Sequence, residues 1–162
     1  LNVLLAQCGA PVCAQGFDCS FMQILTSMRV QDSINQQTSY FQAELLRLQF
    51  ITEQLEKQQP TFVILDEILK GTNSEDKLLG SQLLVQRFMQ YNCLVLIATH
   101  DLELGIMQQK YPESIQNLRF ESNIQKGLLS FDYQLQKGIA KNKNATFLMR
   151  KMGIIPQQNV QE

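Results

Sequence analysis

The 162-residue sequence holds a single histidine, His100, and four cysteines, none of them in a CxxC pair. Zinc sites built on thiolate and imidazole draw on such pairs, so a zinc-held fold is not expected. Reduced thiols at Cys8, Cys13, Cys19 and Cys93 are the plain expectation, in a cytoplasmic setting. No apolar run approaches the ~20 residues that cross a bilayer, and no signal-peptide pattern stands at the start. Excess positive charge is lacking too. A formal net charge of −1 argues against a broad basic surface that grips nucleic acid. What is left is an ordinary globular composition, 44% hydrophobic and 18% charged. The length suits one domain with its own core and no internal repeat is visible.

Against these absences one stretch stands out, Thr61 to Ser74 (TFVILDEILKGTNS). Thr61 to Leu65 reads as a central parallel strand buried on both faces. It runs into two adjacent acids, Asp66 and Glu67, and then a loop with Gly71 and Thr72. Acids at the carboxyl end of such a strand sit where open α/β sheets bind ligands. The pairing suits nucleotide hydrolysis, the first acid holding Mg²⁺ through water and the second orienting or deprotonating the attacking water. A strand that merely ends in a solvated acidic turn explains the stretch equally well. A second apolar run, Cys93 to Ala98 (CLVLIA), ends in Thr99-His100-Asp101 and so repeats the placement. A lone histidine is more often a satisfied structural residue, but a side chain at this place could hydrogen-bond a γ-phosphate.

Elsewhere the chain alternates helical and extended patterns. Leu1 to Cys8 reads as an apolar helix stopped by Gly9 and Pro11. Phe21 to Met28 is rich enough in large apolar residues for a strand. Ser39, with Gln42 three residues on, has capping-box spacing for a helix whose apolar stripe is Phe41, Leu45, Leu48 and Leu55, widened by Leu46, Phe50 and Ile51. Ser74 or Asn73 caps a helix over Glu75 to Tyr91. Asp101 to Gln109 reads as one capped helix. Ile115 to Ile124 and Leu128 to Leu135 form a hairpin through Gln125-Lys126-Gly127, and Ala145 to Met152 a final helix. This order predicts a mixed, mainly parallel sheet flanked by helices.

Asp66-Glu67 through Lys77 (DEILKGTNSEDK), followed by Leu96 to Gly105 (LIATHDLELG), resembles the ATPase domain of the MutS proteins of DNA mismatch repair, a branch of the ABC-type ATPases. The resemblance runs from Leu1 to Pro156. It implies a P-loop NTPase fold with Asp66 as the Mg²⁺ ligand, Glu67 and His100 as catalytic residues, and Gly71-Thr72 leading into the D-loop. Ser-x-Phe-x-x-Glu, here Ser39, Phe41 and Glu44, matches the family's signature motif, which approaches the γ-phosphate held by the other subunit. Tyr133 falls where the family places an aromatic or histidine against adenine, although an ordinary cross-strand aromatic explains it as well. Ala10 to Ala14 resembles a short strand at the sheet edge, and Gln7 a Q-loop-like glutamine.

The sequence departs from the family in several places. Gln37 and Thr38 stand where a glycine is usual, implying a stiffer loop before Ser39. Leu69 and Lys70 replace glycine and arginine, and Lys77 stands where a glycine is common. Most consequential, the phosphate-binding pattern GxxxxGK[ST] occurs nowhere. The expectation is a partial MutS-type ATPase domain over 1–155, starting after that motif within a longer parent, with a flexible tail at 156–162. ATP and Mg²⁺ are then the cofactors, neither held tightly by this piece alone. Partners are a second copy through the ATPase domain and DNA through other domains of the parent. The sheet, lacking its P-loop strand, is expected to leave an apolar patch open. The alternative is a non-catalytic dimerisation or regulatory module derived from such an ATPase; another ABC-type DNA-repair or chromosome-maintenance ATPase is a third reading.

Overall fold

Short apolar runs separated by long helical ones dictate βαβ units, because two parallel strands need a crossover of a dozen residues or more. A computed structural model describes residues 1–28, 40–125, 128–140 and 144–156, in two compact units, Leu1–Leu104 and Gly105–Glu162. In the first unit the order is α1 (Asn2–Gln7), β1 (Gln23–Ser27), α2 (Tyr40–Leu55), β2 (Thr61–Asp66), α3 (Ser74–Phe88) and β3 (Cys93–Ala98). The three strands form one parallel sheet in the order β1-β2-β3, flanked by helices. Register is level: Gln23 pairs with Thr61 and Thr61 with Cys93, so β2 and β3 begin and end together.

Period-two alternation decides which strand residues enter the core. Leu25, Val63 and Leu65 lie on one face and are buried with Leu48, Ile51 and Leu55 of α2 and Phe88 of α3. The expectation that β2 is buried on both faces is corrected: Phe62 and Ile64, on the opposite face, are only half-buried. On that side β3 leaves Leu94 and Leu96 61% and 51% exposed, so the open face of the sheet is apolar. The stripe of α2 also differs from the expected one. Leu45, Leu46 and Phe50 are exposed, and Phe41, Glu44, Leu48, Ile51 and Leu55, spaced three and four apart, face inward.

Two further expectations change. Residues 10–14 form no strand, since Gly9 turns left-handed (φ +72) and Pro11 has no N–H to pair. The helix expected over 101–109 is broken into a turn, a 3-10 segment (Leu104–Ile106) and α4 (Met107–Lys110). Asp101 Oδ1 accepts the Glu103 N–H at 3.0 Å, an Asx turn rather than a helix cap, and Gly105 weakens any continuous helix.

In the second unit β4 (Leu118–Gln125) and β5 (Leu128–Lys137) pair antiparallel, with a bulge between Phe120 and Ser122. Gly138 closes β5 at φ +101, and a Cβ there would stand 2.7 Å from the Arg119 guanidinium. α5 (Asn144–Lys151) ends in a Schellman motif: Gly153 N–H donates to Arg150 O and Ile154 N–H to Met149 O. The hairpin residues 126 and 127 and the expected tail from 157 onward lie outside the described residues.

Two measurements test the packing. A Cβ on Gly71 would lie 2.6 Å from Phe41 Cβ. Gly71→Ala is therefore expected to cost about 1–3 kcal/mol by overpacking in urea unfolding, and less in a Phe41→Gly background, which removes the opposing Cβ; additive effects would rule out the contact. Burial pushes the Cys93 thiol pKa up, and its Sγ–H donates to Phe88 O at 3.3 Å, while Cys8 and Cys13 are exposed. Because the thiolate is the nucleophile, iodoacetamide near pH 8 should label Cys8 and Cys13 first and Cys93 last, as read by peptide mass spectrometry.

Candidate functional site

Level register brings the ends of β2 and β3 to one edge of the sheet. Asp66 pairs with Ala98, and the Glu67 N–H adds one further rung by donating to Ala98 O at 2.8 Å. The backbone then turns left-handed twice, at Glu67 (φ +50) and at Leu69 (φ +58). Non-glycine residues enter that region at a cost and persist where surrounding structure holds them, often at functional sites.

This turn aims Glu67 at an imidazole and an ammonium group. Its Oε1 lies 3.2 Å from His100 Nε2, and its Oε2 lies 3.5 Å from Lys70 Nζ. The His100 side chain is 94% exposed and Glu67 26% exposed, so the pair opens directly to solvent. A carboxylate in this position can orient a water molecule or take its proton, and an exposed imidazole beside it can donate to an incoming anion.

Asp66 offers a single half-buried carboxylate beside Glu67. Among the described residues no group of three or more His, Cys, Asp or Glu side chains stands together to hold a metal ion. A lone carboxylate suits Mg²⁺, which keeps most of its waters and binds through one or two carboxylates plus substrate phosphates. Asp66 would hold such an ion through water, and the ion would supply charge neutralisation for phosphate oxygens.

The first turns of α2 reach this loop from the far side. Glu44 is 4% exposed; its Oε1 accepts the Leu69 N–H at 2.5 Å and its Oε2 the Lys70 N–H at 3.2 Å. Phe41 packs against Gly71. Thr72 is half-buried, and Asn73 caps α3 by accepting the Asp76 N–H at 2.9 Å while donating to Asp76 Oδ2 at 2.8 Å. Next to His100, the side chains of Ser74, Lys77, Leu78, Asp101 and Glu103 line an open pocket of about 340 Å³.

The first unit thus brings Phe41, Glu44, Asp66, Glu67, Gly71, Thr72 and His100 into one neighbourhood. Ser39, expected at the head of α2, lies outside the described residues. Tyr133 belongs to the second unit, on the bulged stretch of β5, with φ +55, 81% exposure and its ring 6.1 Å from that of Phe131. Gln7 spends its amide on the chain itself: Nε2 donates to Met22 O at 3.0 Å and Oε1 accepts the Met22 N–H at 3.1 Å. Sequence reasoning missed Lys70 as a member of the site and the contacts that Glu44 makes there. Lys70 passed as a variation, although its i,i+3 spacing from Glu67 was a signal. Glu44 was read only as a motif letter, although it stands in the middle of an inward helical stripe.

The profile of MutS domain V matches residues 1–162, the whole chain. The human MutS protein homolog 4 is 25% identical over 140 residues, covering 83% of this chain and 15% of that protein. The DNA mismatch repair protein MutS of Psychrobacter cryohalolentis is 28% identical over 162 residues, covering 95% of this chain and 15% of its own length. The mouse MutS protein homolog 4 is 25% identical over 128 residues, 75% of this chain and 13% of the relative. The chain therefore spans about one seventh of the length of these relatives, and no described helix is long and apolar enough to cross a membrane. By the match of that profile over its full length, the chain belongs to the MutS domain V family.

Proposed function

We propose that this chain is part of the ATP-binding and hydrolysing domain of a MutS-like DNA repair protein, with residues 1–155 forming the domain portion. The observation that carries the reading is the pair of level strand ends, where Asp66, Glu67 and His100 converge at the carboxyl edge of a parallel sheet. In this reading Asp66 holds Mg²⁺ through water, Glu67 polarises the attacking water and His100 contacts the γ-phosphate. Gly71 and Thr72 shape the loop beside the nucleotide. Ser39, with Phe41 and Glu44 of the same motif, completes the site of a second copy, so nucleotide joins two subunits and couples to DNA held by other domains of the parent, in the cytoplasm.

The test compares Mg²⁺-dependent binding of a fluorescent ATP analogue by this chain and by a version extended upstream by about forty residues to supply a phosphate-binding loop. Tight binding by the extended form alone is expected. There, Glu67→Gln should lower the hydrolysis rate by about 10²–10⁴-fold, the usual contribution of a positioned general base, and leave nucleotide affinity within about twofold. Weak binding by both forms would replace this reading with a dimerisation or regulatory module that no longer uses nucleotide.

A further inference from the structure

The buried carboxylate of Glu44 is the least expected group in the first unit. Burying a charge is costly unless hydrogen bonds replace its water. Here both oxygens are satisfied from one source, the consecutive backbone N–H groups of Leu69 and Lys70, 25 and 26 residues along the chain. Hydrogen bonds from backbone N–H to an ionised carboxylate are about twice as strong as neutral ones. They are spent on the loop that the two left-handed residues, Glu67 and Leu69, would otherwise leave free to relax. Leu69 is itself one of those strained residues, and the Lys70 ammonium faces Glu67. The neighbouring contact of Phe41 with Gly71 fastens the same loop to the same helix turn.

We infer that Glu44 is a positioning residue: it locks the first turns of α2 to the loop 67–71 and thereby fixes where Glu67 presents its carboxylate to His100. It touches no reacting atom. Any displacement of the start of α2 is transmitted to Glu67 through two hydrogen bonds and one aromatic contact. The inference deepens the hydrolytic reading of this site and rests on it for its catalytic meaning, but the mechanical link itself does not require nucleotide.

The chain's single histidine gives one imidazole Cε1–H resonance, a direct reporter on the Glu67–His100 approach. The experiment records that resonance and the backbone amide spectrum of the 162-residue protein with Glu44→Gln, Glu44→Asp and Glu67→Gln. Glu44→Gln replaces one acceptor oxygen by an NH₂ that opposes a backbone N–H. It should therefore speed hydrogen exchange of the Leu69 and Lys70 amides by about tenfold or more and move the His100 resonance in the same direction as Glu67→Gln does. Amides of Val63, Leu65 and Ile51 should keep their exchange rates. Glu44→Asp keeps the charge but is one methylene shorter, and is expected to restore part of the wild-type pattern.

Unchanged His100 and loop signals in Glu44→Gln would overturn the inference. So would shifts and faster exchange spread evenly through the core, which mark a residue that only stabilises the fold. If Glu44→Gln moves His100 as expected while the extended protein binds no ATP, positioning stands and the hydrolytic reading falls. If ATP is bound and hydrolysed but His100 is indifferent to Glu44, the reverse holds.

Discussion

The level pairing of β2 with β3 is the constraint on which the site depends. Both strands are six residues long and start opposite one another, Thr61 to Cys93, so they leave the sheet at the same height. Slipping a strand by one residue reverses every side chain on it. With Val63 and Leu65 sealed in the core and Leu94 and Leu96 turned outward, the register is pinned by burial rather than by anything in the loops. The apolar cores of the strands thus determine that an acid from one loop and the histidine from the next come within 3.2 Å.

The geometry beyond the strands is held differently. Residues 67 to 71 belong to no regular element, and two of them adopt left-handed backbone without being glycine. Beyond the one rung from the Glu67 N–H to Ala98 O, they are held by a buried carboxylate and an aromatic ring from α2. The site is therefore tied to two kinds of support, a rigid sheet edge below and the start of a helix beside it. Its loop is the softer part, since it lacks regular pairing.

This division also explains what could be read in advance. Strand runs, the acids at their ends and the sheet class were legible because apolar periodicity and turn residues report local structure directly. The α2 stripe was misread at Leu45 because a leucine on a helix is more often inward than a glutamate. Here Glu44 takes the inward place by capturing two loop amides that no local pattern shows. Pairings of Glu67 with His100 and of α2 with the loop join residues some 25 to 33 positions apart. They exist only once the crossovers are folded. The break at Asp101 was hidden for the opposite reason: an acid before an apolar run signals a cap, and the competing Asx turn uses the same side chain.

Leu69 shows how such a loop can hold a side chain in left-handed backbone, a region that costs a side chain about 1–2 kcal/mol. Its side chain, however, is 9% exposed and joins the core with Ile68, Val63 and Leu65. Burying a leucine contributes about 1.5–3 kcal/mol, enough to offset the strain. Space is made by Gly80 on α3, where a Cβ would stand 2.7 Å from Leu69 Cδ1. At the next position Lys70 places its ammonium against Glu67. Core burial of Leu69 thus offsets the left-handed path that carries Glu67 to its contacts with Lys70 and His100.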